Sequence, residues 1–217
     1  MKSYSGHVYV FAVTLLLAGC SDSPAPVKVA DAPVIKKAPA FPTEPVTGKT
    51  ALYALDKEAL LWAKDRKVVS LKSSEVPSMP SDAGKYPMWT AVFVSEAKGQ
   101  SQSLIFSVVD QPPMINKGVT VQGDNSWGGQ RQDALSFEIS DVPVDSDAAY
   151  TAAVQKSVAW TSRNPGKKPT FTLGYSSTLP APSWYILWGS RSNGYAAFVD
   201  GKKGNADSAL MRHRVTR

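Results

Sequence analysis

The chain has 217 residues, of which 43% are apolar and 19% are charged, and its formal net charge is +6. That charge does not describe the body of the protein, because residues 51–200 carry 14 basic and 14 acidic side chains. A nucleic-acid-binding protein needs a concentrated basic face, so nucleic acid is not an expected partner.

The first 19 residues have the three parts of a secretory signal. They contain a single basic residue, Lys2, then an apolar run over residues 8–17, then small residues leading to Cys20. The apolar run has ten residues, well short of the roughly 20 that a membrane-spanning helix needs. The pattern therefore predicts a signal peptide over residues 1–19.

The motif Leu17-Ala18-Gly19-Cys20 resembles the lipobox of bacterial lipoproteins. In that family the thiol receives a diacylglyceryl group, and cleavage then makes the cysteine the first residue. The resemblance implies lipidation with palmitate-type chains at Cys20 and attachment to the lipid bilayer of the bacterial cell envelope. Ser21 stands where an aspartate would favour the inner membrane, so the implied location is the outer membrane, facing the periplasm.

Residues 20–50 predict a tether between the lipid and a folded body. After Cys20 this stretch contains six prolines and five alanines without apolar periodicity. Such composition favours an extended, semi-rigid spacer of about 3.1 Å per residue. The body would therefore be held some tens of ångströms from the membrane.

Beyond the tether, the same series of elements is predicted twice. Apolar stripes at helical spacing indicate helices over residues 51–66 and 147–163, which contain Trp62 and Trp160 near their ends. Each helix is followed by three predicted strands, at residues 68–71, 88–95 and 104–110 in the first half and 170–173, 183–188 and 194–200 in the second. Because equivalent tryptophans are 95 to 98 residues apart, we infer a tandem repeat of a helix followed by a three-stranded antiparallel meander.

The segment between the halves predicts two short strands around a glycine-rich loop over residues 123–129. Asp124 and Asn125 suggest a calcium loop, and the glycines suggest a phosphate cradle. Neither spacing matches, because Gly-Lys-Ser/Thr is missing and the acids do not alternate. A surface loop is the interpretation that remains.

The segment SWYILWGSRSNGYAAFVDGKKG, residues 183–204, resembles the closing hairpin of PepSY-like modules. The matching residues are Trp184, Tyr185, Gly194, Tyr195, Phe198, Val199, Asp200 and Gly204. Lys203-Gly204 replaces the usual Thr-Gly. With the repeat, the resemblance implies an α+β fold of two tandem cystatin-like units, each a helix packed on an antiparallel sheet of three to four strands. The units would span residues 51–140 and 141–204, followed by a basic tail over residues 205–217.

PepSY-like modules imply a non-catalytic binding or inhibitory role. Strand alternation places Trp184 and Trp188 on one face and Tyr185 on the other, and both faces are apolar. Burial within the chain is the simpler account, because large exposed apolar patches are rare on monomers. If the rings are exposed, the predicted binding surface consists of Trp184, Tyr185, Trp188 and Tyr195.

The residues also limit the chemistry. Cys20 is the single cysteine, and the two histidines are His7 in the leader and His213 in the tail. A cysteine nucleophile, a Ser-His-Asp triad and a histidine-rich zinc site cannot be assembled from them. We therefore predict no enzyme activity, no cofactor and no metal.

Three functional hypotheses follow. The first is a tethered envelope lipoprotein that binds a protein, a peptide or a wall polymer. The second is a hydrolase with two carboxylates, which need to lie about 5–9.5 Å apart; Asp110 and Asp200 end equivalent predicted strands and are the candidate pair, with capping of turns as their alternative role. The third is a structural spacer between the membrane and the wall.

Overall fold

The computed structural model describes residues 41–190 and 194–206. Cys20, the tether up to residue 40 and the tail from residue 207 lie outside these residues. The helices and strands are, in chain order, α1 (Gly48–Trp62), β1 (Lys67–Ser74), β2 (Met88–Ser95), β3 (Gln100–Ser107), β4 (Gly118–Ser126), α2 (Ser146–Thr161), β5 (Pro169–Gly174), β6 (Ser183–Gly189) and β7 (Gly194–Asp200).

All seven strands form one antiparallel sheet in the order β4-β3-β2-β1-β5-β6-β7. The two meanders meet at β1 and β5, where Leu71 lies opposite Leu173 and Lys72 lies opposite Thr172. The fold is therefore α+β, as the sequence predicts, but the two meanders share one continuous sheet. A cystatin-like character of each half stays a prediction.

Both helices pack on the same face of the sheet, and their N-termini meet. The backbone N–H of Gly48 in α1 donates to the Ser146 hydroxyl of α2 at 2.8 Å, and the N–H of Lys49 donates to the Asp145 carboxylate at 2.9 Å. These side chains satisfy donors that the first turn of a helix leaves without an intrahelical partner. The start of α2 therefore also caps α1.

The helix-bearing face of the sheet forms the core. Its largest buried side chains include Trp89, Phe93 and Phe106 in the first half and Phe171 and Trp184 in the second. They belong to one buried cluster with the inner faces of both helices. Among the described residues, no helix has both the length and the apolarity that crossing a membrane requires.

Three elements differ from the sequence prediction. The strand predicted over residues 104–110 is β3 at Gln100–Ser107, so Asp110 lies three residues beyond its end. Helix α1 ends at Trp62 because Ala63 is already extended, with φ −150° and ψ 133°. Strand β4 runs through Ser126, so the first part of the predicted loop is strand, paired with β3. Gly123 has a φ of 136° and lies at the register shift between the two strands. A bulge at a glycine lets this strand continue where the sequence suggests a loop.

Candidate functional site

The alternation predicted for β6 is present in the structure. Trp184 and Trp188 lie on the helix-bearing face and are 0% and 2% exposed, whereas Tyr185 and Leu187 are partly exposed on the opposite face. The two tryptophans are core residues, because both helices lie over the face that carries them. They are therefore not part of a binding surface, and the predicted inclusion of Trp184 and Trp188 in such a surface is wrong.

Tyr195 also belongs to the packing of the helix-bearing face. It lies opposite Trp188 in the sheet, and its ring stacks on Trp160 of α2 with centroids 5.9 Å apart. Burial raises the pKa of the Tyr195 phenol. Of the four aromatic residues in the predicted binding surface, Tyr185 alone faces the side of the sheet without helices.

A groove of about 400 Å³ lies on this helix-free face. Strands β1, β5, β6 and β7 and the loops beside them contribute its lining: Lys72, Asp133, Thr170, Thr172, Gly174, Tyr175, Ser176, Leu179, Ser183, Tyr185, Leu187 and Phe198. Tyr185 and Phe198 lie opposite each other in the sheet, with ring centroids 4.9 Å apart. The groove thus combines an aromatic and aliphatic floor with several hydroxyl groups.

The segment between the two halves forms one rim of this groove. Leu135 donates its backbone N–H to the Tyr175 carbonyl at 2.9 Å, and Phe137 exchanges two backbone hydrogen bonds with Val68. The segment therefore hydrogen-bonds to β1 and to the end of β5 where these two strands no longer pair with each other. It also brings Asp133 to the groove, where the carboxylate pairs with Arg131 at 3.1 Å.

Three side-chain donors at the groove have no hydrogen-bond or ion-pair partner within residues 41–190 and 194–206: the Lys72 ammonium, the Thr172 hydroxyl and the Tyr175 hydroxyl. Each lies at the surface or is partly buried. A polar group in a concave site is usually satisfied by protein, by water or by a ligand. These three groups are therefore available to a bound molecule.

A second, smaller cavity of about 260 Å³ offers fewer such groups. Its lining includes Tyr86 and Lys168. The Tyr86 hydroxyl donates to the Pro169 carbonyl, and the Lys168 ammonium donates to the Ser81 carbonyl at 3.3 Å. The Tyr150 hydroxyl and the Lys167 ammonium also line this cavity and have no hydrogen-bond or ion-pair partner among the described residues. The cavity thus offers two such donors against three in the larger helix-free groove, which is therefore the better candidate site.

The carboxylate pair of the hydrolase hypothesis is not brought together. β3 and β7 run in opposite directions and are five strand positions apart, about 24 Å, so Asp110 and Asp200 lie toward opposite ends of the sheet. Asp110 accepts from the Lys117 N–H at 2.8 Å, and Asp200 accepts from the N–H groups of Lys202 and Lys203 at 2.7 and 3.0 Å. Both aspartates therefore cap turns.

The described part of the chain holds no cluster of three or more histidine, cysteine, aspartate or glutamate side chains that could bind a metal ion. The lipidation site predicted at Cys20 lies outside the described residues. The sequence prediction missed Lys72, Thr172 and Tyr175. The signal that was available is the outward-facing pair of threonines in β5, on the same side of the sheet as Tyr185.

No protein-family model and no curated protein matches this chain. The chain is similar to the crystal structure of a candidate lipoprotein from Clostridium difficile 630, with a TM-score of 0.46 and 15% sequence identity. The similarity covers 76% of this chain and 92% of that one.

Proposed function

We propose that this protein is a lipid-anchored binding module of the bacterial cell envelope and that the groove on its helix-free sheet face holds the partner. The observation that carries the proposal is the set of unpaired donors around an apolar floor in that groove. Ligand sites typically combine mostly apolar walls with a few polar groups that fix orientation.

The lipobox motif supports the anchor. Two or three acyl chains on Cys20 would make the attachment effectively irreversible, since each buried methylene contributes about 0.8 kcal/mol. Residues 21–40 would span about 60 Å if extended in a polyproline-like conformation. That reach suits a module that works away from the membrane surface, on the periplasmic side of the outer membrane.

Binding without catalysis fits the site better than hydrolysis does. The described residues contribute one carboxylate to the groove, that of Asp133, and this group is paired with Arg131. Glycoside or peptide hydrolysis by carboxylates needs two such groups with separated pKa values. The helix-free groove offers hydrogen-bond donors and apolar contacts, which are the interactions by which proteins bind ligands.

The anchor is tested by metabolic labelling with an alkyne fatty acid. Wild-type protein is expected to carry the label and to sediment with membranes, whereas the Cys20→Ala variant is expected to lose the label. Equal labelling of the two proteins would exclude lipidation at Cys20.

The binding role is tested by photocrosslinking in intact envelopes. A photoreactive phenylalanine replaces Leu179, which lines the groove, and the matched control replaces Val158, which is 55% exposed on α2. We expect a discrete adduct from position 179 and none from position 158. Identical patterns from both positions would contradict a groove-directed partner and would favour a spacer role.

A further inference from the structure

We propose that the helix-free groove binds a glycan chain that carries N-acetylated amino sugars. This inference deepens the proposed function and rests on it, because it names the ligand class of the same site.

The floor of the groove suits a sugar ring. Tyr185 and Leu187 are partly exposed there, and the Tyr185 ring is braced by Phe198 at a centroid distance of 4.9 Å. Pyranose rings present an apolar face of C–H groups, which packs against aromatic and aliphatic side chains. The groove volume of about 400 Å³ lies in the range of small-ligand sites, and its open shape lets a chain continue beyond it.

The polar groups suit the edges of the same ring. Thr172 and Tyr175 offer hydroxyls that both donate and accept, as sugar hydroxyls require. The Lys72 ammonium can donate but cannot accept, so its partner on a ligand has to be an acceptor oxygen. The carbonyl oxygen of an acetamide supplies that acceptor, and its methyl group suits the aliphatic side chains of Leu179 and Leu187.

An extended peptide is a poorer match for this face. Peptides that add to a sheet bind through the backbone of an edge strand. Strand β5, at the centre of the groove, is hydrogen-bonded to β1 on one side and to β6 on the other. Its backbone therefore has no free edge, and a peptide would have to rely on side-chain contacts alone.

A protein surface or a strongly anionic polymer is also disfavoured. The large apolar side chains that are more than about a third exposed, such as Leu61 and Met114, are not among the groove residues. Among the residues that the structure describes, Lys72 is the single cation that lines the groove, and Asp133 shares the site. A phosphate-rich chain would need a cluster of cations, whereas a neutral glycan does not.

The test uses the chain from residue 20 to residue 217 with Cys20→Ala, which keeps every groove residue. Its amide NMR spectrum is followed during titration with chitotetraose, the tetramer of N-acetylglucosamine, and with cellotetraose, which has the same linkage without the acetamide. We expect saturable shifts for the amides of Thr172, Tyr175 and Tyr185 with chitotetraose and much weaker effects with cellotetraose.

Matched variants locate the binding. Thr172→Val and Tyr175→Phe each remove one hydroxyl, and each is expected to weaken chitotetraose binding about fivefold. Thr120→Val is the control, since Thr120 lies on β4, four strand positions or about 19 Å from β5, and its affinity is expected to equal that of the parent. Thermal unfolding verifies that all three variants are folded.

The outcomes separate this inference from the proposed function. A lack of saturable shifts, shifts outside the groove, unchanged affinity in both groove variants, or equal binding of cellotetraose would overturn the assignment to an N-acetylated glycan. A protein adduct from position 179 combined with any of these results would leave the binding module intact. Cosedimentation of the same chain with cell-wall sacculi or with lipopolysaccharide vesicles distinguishes the two envelope sources of such sugars, and wall sacculi are the expected one.

Discussion

Trp89 and Trp184 pack edge to face in the core, with ring centroids 6.2 Å apart and ring planes at 69°. The Trp89 indole N–H donates to the Val46 carbonyl at 3.0 Å, and the Trp184 indole N–H donates to the Val144 carbonyl at 3.0 Å. Each carbonyl lies one residue before the N-cap of a helix. The two halves therefore fasten their helices to the sheet in the same way.

Replacing Trp184 with phenylalanine should destabilise the whole described fold. The change removes buried ring atoms and leaves the Val144 carbonyl without its donor, so we expect a loss of about 2–3 kcal/mol in the free energy of unfolding. Urea unfolding measures it. Trp62→Phe is the control, because that indole donates to Asp124 near the surface at 3.1 Å, and it should cost less than about 1 kcal/mol. Equal losses would contradict the central role of Trp184.

Gly48→Ala should be destabilising although alanine is the better helix former by about 1 kcal/mol. A Cβ at this position would lie 2.6 Å from the Trp184 ring, so packing must shift. We expect a loss of about 1–3 kcal/mol in urea unfolding. Gly128→Ala, whose Cβ would meet no heavy atom within 4 Å, should change stability by less than about 0.5 kcal/mol. If Gly48→Ala were more stable than wild type, the first turn of α1 would have space for a Cβ beside Trp184, contrary to the structure.

Asp65→Asn should lower stability at neutral pH but not in acid. The pKa of the Asp65 carboxyl lies below its ordinary 3.8, mainly because the carboxylate accepts a hydrogen bond from the backbone N–H of Ala97. A second hydrogen bond, from the Ser95 hydroxyl, lowers this pKa further. Because the pKa of Asp65 is lower in the folded state, the ionised carboxylate stabilises the fold fully above pH 3.8. This stabilisation is lost as the pH falls through the folded-state pKa. The difference between wild type and variant in urea unfolding should therefore shrink toward pH 2. Glu58→Gln, which changes a residue of α1 outside this contact, is the control, and a difference independent of pH would refute the linkage.

Tyr86→Phe should reduce the sensitivity of the fold to alkali. Burial raises the pKa of the Tyr86 phenol well above its ordinary 10.0. Because the pKa of Tyr86 is higher in the folded state, the neutral phenol stabilises the fold fully below pH 10.0. This stabilisation is lost as the pH rises above 10.0, where the phenol of the unfolded chain ionises. Between pH 9 and pH 11 we expect wild type to lose about 1 kcal/mol more than the variant. Tyr53→Phe, at a phenol that is 51% exposed, should leave the alkaline slope unchanged; a parallel loss in wild type and Tyr86→Phe would count against the burial effect.

The local patterns of the sequence predicted much of the fold. The order of one helix and three strands appears twice, and the alternation in β6 separates Trp184 from Tyr185 as expected. These features depend on periodicity within a few residues, which a sequence displays directly. The end of α1, the bounds of β3 and the length of β4 were predicted less well. A cap ended α1, pairing of Gln100 with Ser95 started β3 directly after its hairpin turn, and a glycine bulge let β4 continue.

The sequence by itself determined the α+β class, the repeated element order, the neutral body and the shortage of cysteine and histidine for catalysis. Only the tertiary structure decided that β1 and β5 join the halves into one sheet, that Trp184 and Trp188 are buried, and that Asp110 and Asp200 are far apart. It also decided the groove, which unites residues from Lys72 to Phe198. The physical reason is that strand pairing and helix packing act between residues distant in the chain, so they follow from the whole fold and not from any short stretch.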